Sequence, residues 1–141
     1  MLILICGLVF SLRPIPFDTS FDYIVIGYTQ HNVDINGKPV LQQDSFTFYS
    51  QDAEFAQIKE ILSKHSYHRG LTTLFRNTIS WEGMGYSLSI GLVYDGRDLQ
   101  GMSITKSPYI IIGSKVYRVG YWGSTKVVAL GNEIMSVLTS E

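Results

Sequence analysis

The chain has 141 residues, 45% hydrophobic and 16% charged, a balance that folds and that excludes a disordered chain. Its formal net charge of −1, with Lys and Arg spread thinly, leaves no electrostatic footprint for phosphate backbones or anionic lipid heads, so nucleic acid is not an expected partner. A single cysteine, Cys6, excludes disulfides, thiolate catalysis and Cys-ligated zinc from the folded part.

The first element is the uncharged apolar run from Met1 to Leu12, which stops at Arg13-Pro14-Ile15-Pro16. Its length suits the apolar part of an export signal, about 7–15 residues, better than a membrane-crossing helix of about 20. No A-x-A-like pair of small residues for a cleavage site precedes Arg13, where Phe10, Ser11 and Leu12 stand instead, and Ile5 before Cys6 argues against lipid attachment, leaving Cys6 as an apolar filler. The expectation is that residues 1–16 form a signal or membrane-anchor segment and that residues 17–141 form one α+β domain. A run this short also suits a buried first strand or helix.

Phe21 to Thr29 and Ser45 to Tyr49 are rich in β-branched and aromatic residues and read as two strands. Asn36-Gly37 between them suits a type I′ turn, giving a long hairpin with Pro39 at an edge or bulge. From Gln51 the period becomes helical, with Phe55, Ile58, Ile61 and Leu62 on one stripe and Ser50 placed to cap the start. Ser66 to Gly85 has no steady period and reads as a connection with room for a short strand.

Tyr86 to Tyr94 alternates strictly, the pattern of a strand with one buried face. Asp95-Gly96 opens a turn, Met102 to Lys106 is a further strand, and Tyr109 to Ile112 joins Lys115 to Val119 through Gly113-Ser114, which suits a type II′ turn. That predicts a four-stranded meander with Ile110, Ile112, Tyr117 and Val119 inward, and with Tyr109, Ile111, Val116 and Arg118 on a second face apolar enough to be covered by something. Val127, Leu130, Ile134, Val137 and Leu138 predict a second amphipathic helix, weakened in its first half by Gly131 and the Val127-Val128 pair. The expected fold is α+β: an apolar start, then β-β-α-β-β-β-β-α, with an antiparallel sheet and helices on one face.

Motifs for chemistry are sparse. His65-Ser66-Tyr67-His68 has two imidazoles at ligand spacing but lacks the third and fourth ligands that zinc takes, and reads as a solvated helix end with His65 against the helix dipole. A small hydrolase or metal-assisted enzyme using His65 and His68 is the enzymatic alternative. No G-x-S-x-G elbow occurs, and Gly83-Met84-Gly85 precedes a strand instead of the helix that a phosphate cradle needs. No cofactor or metal is expected, and no catalytic residue is assigned. What remains is aromatic: nine Tyr, seven Phe and two Trp, whose stiff rings suit recognition surfaces as well as cores. The candidate binding residues are Trp81, Tyr121 and Trp122 in or near loops, with Arg69 and Arg76 beyond the first helix.

In element order, and in the stretch from Tyr109 to Leu138 with its YIIIGSKVYRV hairpin, the chain resembles small exported or membrane-anchored domains of unknown function from Gram-positive bacteria. The order β-α-β-β-β-β-α is also similar to the TATA-binding-protein-like topology. Neither resemblance implies an activity or a site residue. The functional expectation is a non-enzymatic, extracytoplasmic or membrane-anchored domain that binds a protein or cell-envelope component and meets the membrane through residues 1–12. A structural accessory subunit is the further alternative.

Overall fold

The computed structural model describes residues 3–6, 9, 13–76, 85–121 and 126–140, the side chains of Leu71 and Asp98 excepted. Its elements are β1 (Tyr23–Val33), β2 (Pro39–Tyr49), α1 (Ala53–Lys64), β3 (Tyr67–His68), α2 (Leu71–Leu74), β4 (Gly85–Tyr94), β5 (Asp98–Ile104), β6 (Ile110–Ile112), β7 (Lys115–Val119) and α3 (Val127–Leu138). The strands form one seven-stranded sheet in the order β2-β1-β4-β5-β6-β7-β3, and every described pairing is antiparallel. This is the α+β arrangement that the alternations predict, including the consecutive meander from β4 to β7.

The period-2 pattern decides which side is core. Ile24 and Ile26 on β1, Leu88, Ile90 and Leu92 on β4, Met102 and Ile104 on β5, and Ile110 and Ile112 on β6 are all buried. They meet the apolar stripes of α1 (Phe55, Ile58, Ile61, Leu62) and α3 (Val127, Leu130, Ile134, Val137, Leu138), which pack on each other over that face. Each such side chain contributes about 1.5–3 kcal/mol by leaving water, so a one-residue slip of β4 would expose three of the largest contributions at once. Tyr117 and Val119 join the same core, as the hairpin pattern requires.

Several local expectations are corrected. The first hairpin does not turn through a type I′ Asn-Gly pair: Gly37 takes φ 79° but Asn36 does not take positive φ. Gly37 N–H donates to Asp34 O at 3.0 Å and Asp34 N–H to Lys38 O at 2.8 Å, the pattern of a type I turn closed by a glycine bulge. Asp34 decides this by accepting the Asn36 and Lys38 N–H groups on its carboxylate, both at 2.8 Å. The two strands therefore run eleven residues each, longer than their aromatic cores suggest. Ser50 does not cap α1: Asp52 holds the N-cap position, and its carboxylate turns back to accept the Tyr49 N–H at 2.7 Å. The connection after α1 is more ordered than expected, since β3 pairs with β7 and α2 adds one helical turn. At Gly113-Ser114 the expectation holds, with Gly113 at φ 60° and Ile112 opposite Lys115.

The start of the chain divides sharply. Pro14 bridges to His68, Ile15 N–H donates to Tyr67 O at 2.8 Å, and Phe17 packs on the Tyr67 ring at 5.1 Å, so this stretch already extends the β3 edge. Before it, Ile3, Leu4, Ile5 and Val9 are 88%, 76%, 51% and 59% exposed, and Cys6 is exposed too. Among the described residues no helix is long and apolar enough to cross a membrane.

Candidate functional site

Both long helices lie on one face of the sheet, which leaves the opposite face to be lined by whatever the odd-numbered positions of β1 and β4 supply. There the register brings small residues into line. Ser45, Gly27, Ser89 and Ser103 stand side by side on β2, β1, β4 and β5, and Val25, Gly91 and Gly101 form the next row. The result is an open trough of about 680 Å³ along the middle of the sheet. Tyr23, Val93 and Leu99 close one end, Arg97 stands on its rim, and Ile111 and Gly113 bound the β6 side.

Packing does not account for Gly27 and Gly101, whereas a Cβ added at Gly91 would stand 2.9 Å from a methyl carbon of Leu99, so that glycine makes room for the Leu99 side chain. A Cβ added at Gly101 would meet nothing within 4 Å, and one added at Gly27 would come no nearer than 3.8 Å to Ser89. Neither glycine takes positive φ, so the backbone does not demand glycine either. Glycine inside a strand costs about 0.5–1 kcal/mol relative to alanine, a loss repeated here without structural return. Gly131 is the contrast: a Cβ there would stand 2.2 Å from the Tyr86 hydroxyl, so that glycine exists to let α3 cross the Tyr86 ring.

The trough offers three serine hydroxyls and apolar walls, with Arg97 as the one charged group among its described lining residues. It suits a flat apolar or aromatic group with a few hydrogen bonds at its border, and among the described residues that line it there is no base to activate a serine.

The residues singled out by the sequence lie elsewhere. Trp81 and Trp122 are outside the described residues. Tyr121 is exposed, with its ring 5.3 Å from that of His68. Arg69 lies over the Tyr117 ring at 5.8 Å and donates to Leu74 O at 3.4 Å, while Arg76 covers the Tyr109 ring at 4.9 Å. Both arginines and Tyr121 therefore gather around β3, α2 and β7, away from the trough. Their aromatic contacts use the guanidinium faces.

The two histidines are not a solvated helix end. His65 is buried at the end of α1 against α3, with its Nε2 3.3 Å from the Glu133 carboxylate, which also pairs with Lys64. Burial lowers the His65 pKa, and the nearby Glu133 charge offsets that only in part. The Lys64 ammonium and the His65 imidazole hold the Glu133 pKa below its usual value. His68 is buried too, but it pairs in register with Arg118, and its Nε2 lies 2.9 Å from Ser66 Oγ. The imidazoles thus turn to different neighbours and do not converge, and among the described residues no three His, Cys, Asp or Glu side chains could hold a metal ion. Tyr67 between them donates its hydroxyl to Leu62 O at 2.8 Å, and burial raises its pKa.

Sequence reasoning missed the trough. Its trace is present in the alternation of Ser87, Ser89 and Gly91 and in the Gly101-x-Ser103 spacing, but only cross-strand register puts those positions beside Gly27 and Ser45. Neither protein-family models, nor curated proteins, nor solved structures match this chain.

Proposed function

We propose that this chain is a non-enzymatic binding domain, held at or beyond the outer face of a bacterial membrane by its apolar start, which takes a protein or cell-envelope component onto the uncovered face of its sheet. The observation that carries the reading is the trough floored by Gly27, Gly101, Ser89 and Ser103, where Gly27 and Gly101 leave room that neither backbone nor packing requires. Monomeric proteins keep such open apolar-walled surfaces for partners, because leaving them unfilled sacrifices stability. The compartment rests on residues 1–12: their described apolar side chains stand in solvent, whereas Ile15 and Phe17 just beyond them pack against the core. Lipid is the medium that removes this exposure.

The test is cross-linking in intact cells combined with fractionation. The full chain should sediment with membranes and capture a partner, and Ser89→Tyr and Ser103→Tyr, which fill the trough from an exposed and a half-buried position, should lose the partner while keeping the wild-type fold by circular dichroism. Recovery of the wild-type chain only in the cytosol, unassociated, ends this reading.

A further inference from the structure

The two edges of the sheet are treated differently. At β3 the chain's own start closes the edge, through the Pro14 bridge and the Ile15 N–H to Tyr67 O bond. At β2 no described segment does so, and the ladder to β1 runs eleven residues without a bulge. The Asp34 N–H bond to Lys38 O fixes the parity of that ladder. Even-numbered residues of β2 bond to β1, and the backbone groups of odd-numbered ones point outward. Both ends of this outward row are blunted. Pro39 has no N–H, and the Tyr49 N–H and C=O are taken by Asp52, at 2.7 and 2.9 Å. Between them the N–H and C=O groups of Leu41, Gln43, Ser45 and Thr47 meet no partner among the described residues. Asp44 is the single charge on the strand, a sparse defence for an edge of this length.

We propose that this edge takes a second copy of the chain, the two β2 strands pairing antiparallel about a two-fold axis at Gln43 to make one continuous sheet. The register follows from side-chain complementarity. With Gln43 facing its own copy, Leu41 and Ser45 exchange hydrogen bonds across the axis, each Gln42, whose amide donates to its own Asp44 at 3.1 Å, also faces the second copy's Asp44, and Val40 faces the half-buried Phe46. Shifting the axis to residue 44 would keep the backbone pairing but set two aspartates directly opposite, about 4.5 Å apart at Cα, which like charges disfavour. The same strand that fits itself in the first register repels itself in the second. Because Ser45 also borders the trough, the axis would place two troughs side by side in one extended face.

The test uses the full chain in a mild detergent, in a Cys6→Ser background. Gln43→Cys should oxidise to a disulfide-linked dimer, since the Cα separation of a directly opposed, hydrogen-bonded pair, about 5.5 Å, lies within the range a disulfide spans. Leu41→Cys and Ser45→Cys should do so far more slowly. Gln43→Pro removes only outward-pointing donors, so it should keep the monomer fold by circular dichroism while raising the dimer dissociation constant about 10- to 100-fold in sedimentation equilibrium. A wild-type chain that stays monomeric at millimolar concentration overturns the proposal. So does preferential cross-linking through Ser45→Cys, or a β2 edge occupied in cells by an extended segment of a different protein.

Discussion

If the trough glycines serve a partner and not the fold, replacing them should strengthen the domain. Gly27→Ala and Gly101→Ala each add a methyl group to a strand position with ordinary backbone, where the nearest atom is 3.8 Å away or more than 4 Å away. Each should gain about 0.5–1 kcal/mol, chiefly from lower conformational freedom of the unfolded chain. The two sites lie on β1 and β5, separated by β4, and share no packed neighbour, so their effects should add to about 1–2 kcal/mol. For a domain of this size that is roughly 4 °C in melting temperature per kcal/mol. Urea unfolding followed by circular dichroism reads the gain as a shift in midpoint at constant slope. The same double variant should lose partner capture. A double variant less stable than wild type would refute the reasoning, because it would mean that the fold itself needs the glycines.

Further outcomes follow from the same geometry. Gly131→Ala should go the other way despite a helix-propensity gain of about 1 kcal/mol, since its Cβ would sit 2.2 Å from the Tyr86 hydroxyl; a net loss of about 1–2 kcal/mol is expected, and Tyr86→Phe should relieve part of it in a double-mutant cycle. Leu92→Ala empties a fully buried core position and should cost about 2–5 kcal/mol in the same unfolding assay. The folded pKa of His65 lies below the ordinary histidine value of 6.5, so the unfolded chain binds more protons as pH falls. Stability from this group is complete above that value and is lost on acidification toward the folded pKa; Glu133, lowered from 4.5, adds a loss of the same sign at lower pH. Urea midpoints taken between about pH 7 and pH 5 should fall, and His65→Gln should flatten that slope.

Much of the architecture was written in periodicity. Leu88, Ile90 and Leu92 alternate so strictly that their burial follows from the chain alone, and the stripe of Phe55, Ile58 and Leu62 fixes the inner face of α1 in the same way. The errors arose where a polar side chain overrides local propensity: Asp34 chooses the hairpin turn, and Asp52 takes the cap position that Ser50 was expected to fill. His65 and His68 looked solvated because they follow the end of a helix, and only the packing of α3 and the pairing of β3 enclose their side chains. The aromatic and basic candidates were chosen by residue type. Type locates Arg69 and Arg76 on tyrosine rings around β7, but it gives no view of an empty surface. A trough is defined by what side chains omit, and serine and glycine carry little signal until four strands are set in register.

The most direct measurement places a photo-activated cross-linking side chain at Ser89, on the trough floor, and at Gln57, exposed on the outer side of α1, and irradiates intact cells. The account predicts one dominant adduct from position 89 and none of that mass from position 57. Equal adducts from both positions, or none from position 89, would contradict it.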